Sequence, residues 1–429
     1  MAKSEDAALG LAGAANGLLG SGVARRRLLL AGGAGAGLLA ATAAGTSAAA
    51  DASTPQRVPG APMSGYGQPA AAEDSVVREG IGSQPGTRGS GASRTPLQAL
   101  RGTITPSGLH FERHHSGFPT IDPRQHRLLI HGATGRALAF DLEQLHRYPM
   151  VTRTQFLECS GNSAVLLRER PVAASCGVIH GLVSTSEWTG VPLSYLLDEA
   201  GVGAQARWVI AEGADAGRMN RSVPLAKCLD DAMVALYQNG ERLRPENGYP
   251  MRLFLPGFEG NMSIKWLRRL ELAPQPAMTR DETSKYTDLR PDGRAEGFTF
   301  AMGVKSVITS PSPGLALREH GVYQVTGLAW SGRGAIRRVE LSADGGRSWV
   351  DAEFESTPAP LAQVRFRGAW RWQGQPALLV SRATDTAGRT QPTRGAWIAS
   401  NGPNGFYHYN AMQQWQVRKD GTVVNSYGV

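Results

Sequence analysis

Glycine and proline interrupt this chain so often that long regular elements have little room to form. The 429 residues include 53 glycines and 26 prolines, well above the roughly 12% that these two residues usually contribute together. Both residues favour turns and helix ends, so the pattern disfavours a helical bundle or a coiled coil. Hydrophobic residues make up 41% and charged residues 19% of the chain, which excludes a disordered protein. We expect a folded protein of two or three domains.

The first 50 residues have the order that is typical of an export signal. Three arginines at 25–27 precede an apolar run of leucine, alanine and glycine, and alanines at 48–50 offer a small-residue cleavage site. Arginines directly before the apolar run indicate twin-arginine export. A membrane helix is the alternative, but its glycines and alanines make the run only weakly apolar. We therefore predict a signal peptide over 1–50 and a periplasmic protein that is not embedded in the membrane.

Composition divides the remainder into three predicted segments. Residues 51–97 are rich in glycine, serine, proline and alanine, and we expect a flexible arm. Residues 98–295 mix short helices and strands, which predicts an α+β domain without regular strand–helix alternation. Short strands between turns in residues 300–425 predict a β-sandwich of immunoglobulin type. The predicted elements are helices over 192–201 and 225–231 and strands over 233–237, 251–255, 322–328, 336–341 and 377–383.

Charge and cysteine content limit the partners and cofactors. The formal net charge of +9 at pH 7 favours an anionic substrate or an acidic partner. The exported part has no run of lysine and arginine, which argues against nucleic acid. Three cysteines are too few for a disulfide scaffold, and the lack of a Cys-x-x-Cys-His motif predicts no haem on this chain. Cys176 and Cys228 are expected to pack in the core, and a disulfide between them is left open.

Residues 156–163, Phe-Leu-Glu-Cys-Ser-Gly-Asn-Ser, carry the strongest chemical signal. Cys159 lies between the end of an apolar strand and a Gly-Asn turn, which places it at the tip of a loop. A thiolate there is a soft ligand for a transition metal. The alternative interpretation is a buried small apolar side chain, which is the commonest role of a free cysteine.

Five further stretches, together with this loop, form an ordered set that resembles the sulfite oxidase family of molybdenum enzymes. Each motif alone is weak, whereas the ordered set is specific, and the resemblance extends over residues 98–420. The stretches are Phe-Glu-Arg-His-His at 111–115, Cys-Ser-Gly-Asn at 159–162, Val-Ser-Thr-Ser-Glu-Trp-Thr-Gly-Val-Pro-Leu at 183–193, Asn-Gly-Tyr-Pro-Met-Arg at 247–252, Leu-Pro-Gly at 255–257 and Ser-Ile-Lys-Trp-Leu at 263–267.

The resemblance implies one molybdopterin cofactor per chain, with Cys159 as the protein ligand of molybdenum. It implies that Arg113 faces the substrate anion and that Tyr286 hydrogen-bonds at the reacting centre, so that Arg113, Tyr286 and Cys159 form the catalytic set. A guanidinium and an ammonium suit the cofactor phosphate. The residues that the resemblance assigns to cofactor binding are Phe111, Arg113, His114, His115, Asp215, Asn247, Arg252, Ser263, Ile264 and Lys265.

Simpler interpretations exist for several of these residues. A solvated surface charge is the alternative for Arg252 and for Lys265, and an ordinary loop tyrosine is the alternative for Tyr286. A zinc site at His114 and His115 would need a third and a fourth ligand, and the sequence offers no spacing that supplies them.

One departure from the family pattern bears on the substrate. Many sulfite oxidases carry two arginines after Cys-x-Gly-Asn, whereas this chain has Ser163 and Ala164. One positive charge for a small dianion is therefore missing, which favours a substrate of lower charge or one presented on another molecule over free sulfite. The form of the cysteine motif, the export signal and the length resemble the branch of the family that acts on sulfane sulfur, and this resemblance implies sulfane sulfur on a carrier protein as the substrate. We expect a separate cytochrome c to accept the electrons, and a homodimer through the C-terminal domain or a heterotetramer with the cytochrome. The alternatives are a free-sulfite dehydrogenase, a reductase of oxidised sulfur and a non-catalytic exported binding module.

Overall fold

The computed structural model describes residues 59–84 and 87–428. The signal peptide predicted over residues 1–50 lies outside the described residues, as does the first part of the predicted arm. Within the described residues, no helix is long and apolar enough to cross a membrane.

Short strands and shorter helices build the N-terminal part, as the frequent glycines and prolines predict. Its strands are β1 (Glu79–Ser83), β2 (Gly91–Arg94), β3 (Glu112–His114), β4 (Leu128–Gly132), β5 (Leu138–Phe140), β6 (Val151–Glu158), β7 (Val183–Pro192), β8 (Trp208–Gly213), β9 (Asn220–Pro224), β10 (Met233–Gln238), β11 (Glu241–Arg242), β12 (Arg252–Phe254), β13 (Leu267–Ala273), β14 (Asp288–Leu289) and β15 (Ala295–Glu296). Its helices are α1 (Leu142–Leu145), α2 (Cys176–His180), α3 (Leu193–Ala200), α4 (Leu225–Asp230) and α5 (Arg280–Thr283).

Three main sheets organise this domain. One has the order β1-β2-β3, the second has β11-β10-β7-β6 with β12 paired to β10, and the third has β5-β4-β13-β8-β9. Only neighbours β4 and β13 of the third sheet run parallel. The second and third sheets bury one apolar core, which includes Leu128, Val191, Leu196, Val234 and Leu270. The domain is therefore α+β, as predicted, because helices do not alternate with a parallel sheet.

The predicted helix over 192–201 is confirmed as α3. Leu193, Leu196 and Leu197 are fully buried on one face, as their spacing requires. The helix ends at Gly201, whose φ of 74° needs a residue without a side chain. The other predicted elements of this domain are confirmed as α4, β10 and β12.

Strands β1 and β2 depart from the flexible arm predicted over 51–97. β1 and β2 form an antiparallel hairpin, and β2 pairs with β3, with Ala92 opposite Arg113. The small residues that suggest flexibility instead permit a close approach of two backbones. A Cβ on Gly91 would lie 2.2 Å from the carbonyl oxygen of Gly82. Glycine in this stretch therefore serves tight strand pairing rather than disorder.

Two facing sheets form the C-terminal domain and confirm the predicted β-sandwich. Their orders are β16-β17-β21-β20 and β19-β18-β22-β23-β24, and they enclose buried Trp330, Phe366 and Trp415. The elements are β16 (Lys305–Ser310), β17 (Gly321–Trp330), β18 (Ile336–Ser342), β19 (Val350–Asp351), β20 (Glu353–Phe354), β21 (Val364–Trp372), β22 (Ala377–Asp385), α6 (Arg394–Asn401), β23 (Gln414–Val417) and β24 (Val423–Ser426).

The hydrophobic core of the sandwich continues into the N-terminal domain. Phe156 of β6 and Val183 of β7 belong to the same buried cluster as Trp330. The rings of Phe156 and Trp330 lie 6.5 Å apart between centroids. The C-terminal end of β6 is therefore fixed against the sandwich, and the cysteine loop begins at that end.

Candidate active site

All the residues predicted for the site line one cleft in the N-terminal domain. The cleft opens to solvent, and its empty space, with the open mouth included, amounts to about 690 Å³. Its walls come from β3, from the loops after β6 and β8, from β12 and from the segment before β13. The predicted residues around it are Phe111, Arg113, His114, His115, Cys159, Asp215, Asn247, Arg252, Ser263, Ile264, Lys265 and Tyr286.

Cys159 lies at the start of a tight turn that directly follows β6. Its backbone N–H donates to the carbonyl of Leu182 at 2.9 Å, and its carbonyl accepts from Asn162 N at 2.9 Å. Burial raises the pKa of the thiol, and the nearby positive charge of Arg113 opposes that rise. The thiol is only partly buried and faces the cleft. It is thus placed as a ligand, whereas Cys176 and Cys228 are buried free thiols in the core.

A buried ionic network anchors the two ends of the cysteine loop, which runs from Glu158 to Ser163. Glu158 Oε1 accepts from Lys305 Nζ at 3.0 Å, and its Oε2 accepts from Trp330 Nε1 at 2.7 Å. Lys305 Nζ also donates to Ser163 Oγ at 2.8 Å, and Ser163 Oγ lies 2.7 Å from His180 Nδ1. Lys305 and Trp330 belong to the C-terminal domain, so that domain holds both ends of the loop.

Two cations of the cleft, the buried Arg252 and the half-buried Lys265, lack a carboxylate partner among the described residues. Among the described residues, neither Arg252 nor Lys265 forms a salt bridge, and Arg252 Nε has no hydrogen-bond partner. Arg252 donates only to the backbone carbonyls of Asn247 and Ser263, at 3.0 and 2.8 Å. Burial lowers the pKa of Arg252 to about 9 and that of Lys265 well below its usual value.

Arg221, a buried cation elsewhere in the domain, has the carboxylate partners that the two cations of the cleft lack. Arg221 is fully buried and forms salt bridges to Glu259 at 3.3 Å and to Glu282 at 3.0 Å. Burying a cation without such a partner costs several kcal/mol, so an anion from outside the chain would stabilise the buried Arg252. The donor set, a thiol together with a buried guanidinium and a half-buried ammonium, fits a molybdopterin, whose phosphate is the anion.

Two of the predicted histidines are neutral at physiological pH. Burial and the charges of Lys265 and Arg113 lower the pKa of His114 and of His115 to about 3. His114 Nδ1 lies 2.8 Å from Lys265 Nζ and its Nε2 lies 2.8 Å from Glu112 Oε2, so Nδ1 accepts and Nε2–H donates. Within residues 59–84 and 87–428, no three or more His, Cys, Asp or Glu form a group that could hold a metal ion.

Tyr286 and Arg113 face the cleft from different segments. The Tyr286 hydroxyl lies 3.0 Å from His115 Nε2, and the Arg221 guanidinium lies over its ring at 4.7 Å. Burial raises the pKa of Tyr286 well above its usual value, so the phenol keeps its proton. Arg113 Nη2 donates to Gln84 Oε1 at 3.2 Å, and Nη1 donates to the carbonyls of Gly91 and His114.

Several lining residues were not singled out in the sequence. His110 and Glu246 each directly precede a recognised motif, and Asn261 lies two residues before another. That closeness is the signal that could have found them, whereas Trp266 lies within the stretch 263–267 and was given no role. A second group comes from the other domain: the backbone N–H of His408 donates to the carbonyl of Ser160 at 2.8 Å. Nothing local in residues 406–408 marks them as neighbours of the cysteine loop, because only the packing of the two domains brings them there.

Comparison with known proteins defines the class. Residues 115–280 match the family model of the oxidoreductase molybdopterin binding domain, and residues 296–414 match that of the Mo-co oxidoreductase dimerisation domain. The chain is 32% identical to chicken (Gallus gallus) sulfite oxidase, over 67% of this chain and 68% of that enzyme. The chain is thus an oxidoreductase of the molybdopterin-binding class. It belongs to the sulfite oxidase family.

One solved structure and one further sequence relative are also similar to this chain. The crystal structure of the sulfane dehydrogenase SoxCD from Paracoccus pantotrophus matches with a TM-score of 0.82 and 44% identity, over 85% of this chain and 94% of that chain. Mitochondrial sulfite oxidase of the mouse (Mus musculus) is 31% identical over 66% of this chain. The chain spans 54% of the length of the mouse enzyme.

Proposed function

We propose that this protein oxidises reduced sulfur in the periplasm, and that its substrate is sulfane sulfur bound to a carrier protein during thiosulfate oxidation. A separate cytochrome c accepts the electrons. The similarity to a sulfane dehydrogenase over 94% of that chain supports this assignment. The observation that carries the choice of substrate is the state of Ser163, which follows the Cys159 loop.

Ser163 offers no positive charge to the cleft. It is 3% exposed, and its hydroxyl is occupied by Lys305 and His180. The charge of Lys305 is itself engaged by Glu158. A free sulfite dianion would therefore meet the charge of Arg113 without a second arginine at this position. Sulfane sulfur on a carrier has a lower charge than the sulfite dianion, so it needs fewer positive charges in the cleft.

The residues of the cleft have separate roles in the proposed reaction. When bound, the molybdenum cofactor supplies the two-electron oxidation that accompanies oxygen-atom transfer to sulfur. Cys159 would hold the metal, and Arg252 and Lys265 would hold the phosphate of the pterin. Arg113 orients the substrate and stabilises negative charge as the new sulfur–oxygen bond forms. Tyr286 keeps its proton at the phenol oxygen, where it can donate a hydrogen bond to the reacting group.

The assembly follows from the same proposal. The match of residues 296–414 to a dimerisation domain supports a homodimer through the sandwich. The similarity to the sulfane dehydrogenase SoxCD supports a partner subunit, and we propose that this partner is the cytochrome, in a heterotetramer. Twin-arginine export, which the N-terminal sequence favours, carries proteins that have already folded and is compatible with a cofactor inserted before export.

The deciding experiment compares two substrates on natively exported protein. Free sulfite and a carrier protein loaded with sulfane sulfur are each offered with a cytochrome c as acceptor, and kcat/KM is measured for both. We expect a higher kcat/KM for the loaded carrier. A higher value for sulfite would replace the proposal with a free-sulfite dehydrogenase, which the unpaired charge of Arg113 favours. Molybdenum content measured on the same protein separates an empty cofactor site from a wrong substrate.

A further inference from the structure

The guanidinium of Arg113 is held by neutral acceptors. Gln84 Oε1 accepts from Nη2 at 3.2 Å, and the Gly91 carbonyl accepts from Nη1 at 3.4 Å. Among the described residues, Arg113 forms no salt bridge with a carboxylate. Its positive charge is thus left uncompensated while its orientation is fixed, which is the state required to attract an anion into the cleft.

The hairpin of β1 and β2 supplies both Gln84 and Gly91. Gln84 is exposed, follows β1 directly, and is bonded to Ser90 by a backbone bond of 2.8 Å and a side-chain bond of 3.2 Å. At the base of the hairpin, Arg94 Nη1 donates to the Gly80 carbonyl at 2.6 Å. The hairpin is closed at both ends, so Gln84 is presented to Arg113 from a defined position.

The hairpin also lies outside the part of the chain that matches the molybdopterin-binding model. That match begins at residue 115, whereas the two strands lie at Glu79–Ser83 and Gly91–Arg94. Gln84, Gly91 and Arg113 itself all precede the start of the match. The hairpin takes its place in the cleft wall through the pairing of β2 with β3, in which Ala92 lies opposite Arg113.

We propose that the N-terminal hairpin is a specificity element of the active site, and that Gln84 is the positioning residue that keeps the Arg113 guanidinium turned toward an anionic group while leaving its charge free. This inference rests on the proposed function for the identity of the substrate. Replacing the amide by a carboxylate at the same place would turn a neutral hydrogen bond into an ion pair and cancel the attraction for an anion.

The test is Gln84→Glu in the full chain loaded with cofactor. Because Gln84 is exposed, the variant is expected to fold, with unchanged melting temperature and molybdenum content. KM for sulfite is expected to rise about five-fold, the size of effect that a surface ion pair produces, while kcat changes less than two-fold. Gln373→Glu, an exposed residue in the turn between β21 and β22, is the charge-matched control and should change neither value.

A second readout does not depend on turnover. Sulfate binding, measured by titration calorimetry on the same proteins, is expected to weaken about five-fold in Gln84→Glu and to stay unchanged in Gln373→Glu. If the wild-type chain oxidises no sulfur compound but binds sulfate, and Gln84→Glu binds it about five-fold more weakly, the proposed function fails and the role of Gln84 stands. Equal sulfate affinity in Gln84→Glu and wild type, or no sulfate binding by the wild type, would overturn the inference.

Discussion

Lys305→Met is expected to destabilise the protein and to loosen the cysteine loop. Lys305 and Glu158 are each 1% exposed, and their charged atoms lie 3.0 Å apart. Removing one partner of a buried ion pair leaves the other charge uncompensated and costs about 3–5 kcal/mol. The remaining donors to Glu158 are the neutral groups Trp330 Nε1 and Asn162 Nδ2, which offset only part of that loss.

A double-mutant cycle measures the interaction free energy between Lys305 and Glu158. Lys305→Met, Glu158→Gln and the double variant are unfolded in urea, and the free energies of unfolding are compared. The double variant should lose less stability than the two single losses added together, because neither charge then remains buried alone. A loss below about 1 kcal/mol for Lys305→Met, or additive losses, would refute the reasoning.

A matched control separates the loop from general stability. Leu379→Ala removes a buried side chain of the same sandwich and should cost about 2–5 kcal/mol without touching the loop. We expect molybdenum content to fall in Lys305→Met and to be retained in Leu379→Ala. Equal retention in both variants would show that the buried network does not position the cysteine loop.

Three further perturbations test other parts of the site. Cys159→Ser should keep the melting temperature within a few degrees and lose activity, with both quantities measured on the same preparation. Arg252→Met should raise the stability of cofactor-free protein, because a buried unpaired charge is removed, and should lower pterin content; thermal unfolding and pterin fluorescence check the two effects. Burial would raise the pKa of Glu259, but a hydrogen bond with His408 and the charge of Arg221 hold it at about 2, below the usual value of about 4.3. Its contribution of about 3 kcal/mol is therefore present above about pH 4.3 and lost as the pH falls toward 2, and Glu259→Gln should flatten that part of an acid-unfolding curve.

The local motifs determined which side chains form the site. The stretches at 111–115, 159–162, 247–252 and 263–267 are short, so residue types and turn geometry are set by near neighbours in sequence. Their resemblance to a known family then implied one shared cleft, and all the predicted residues line it. The same local logic predicted the helix over 192–201, because its apolar spacing and its terminal glycine lie within ten residues.

Only the tertiary structure decided what surrounds that cleft. Gln84 reaches Arg113 through strand pairing, and Lys305 reaches Glu158 from the other domain. These contacts join residues far apart in sequence, and the composition of the hairpin predicts flexibility rather than strands. The fold also decided the electrostatics: the sequence shows two cations in Arg252 and Lys265, but only the structure shows that neither forms a salt bridge within the described residues. A motif specifies chemistry over a few residues, whereas burial and electrostatics depend on every element packed around it.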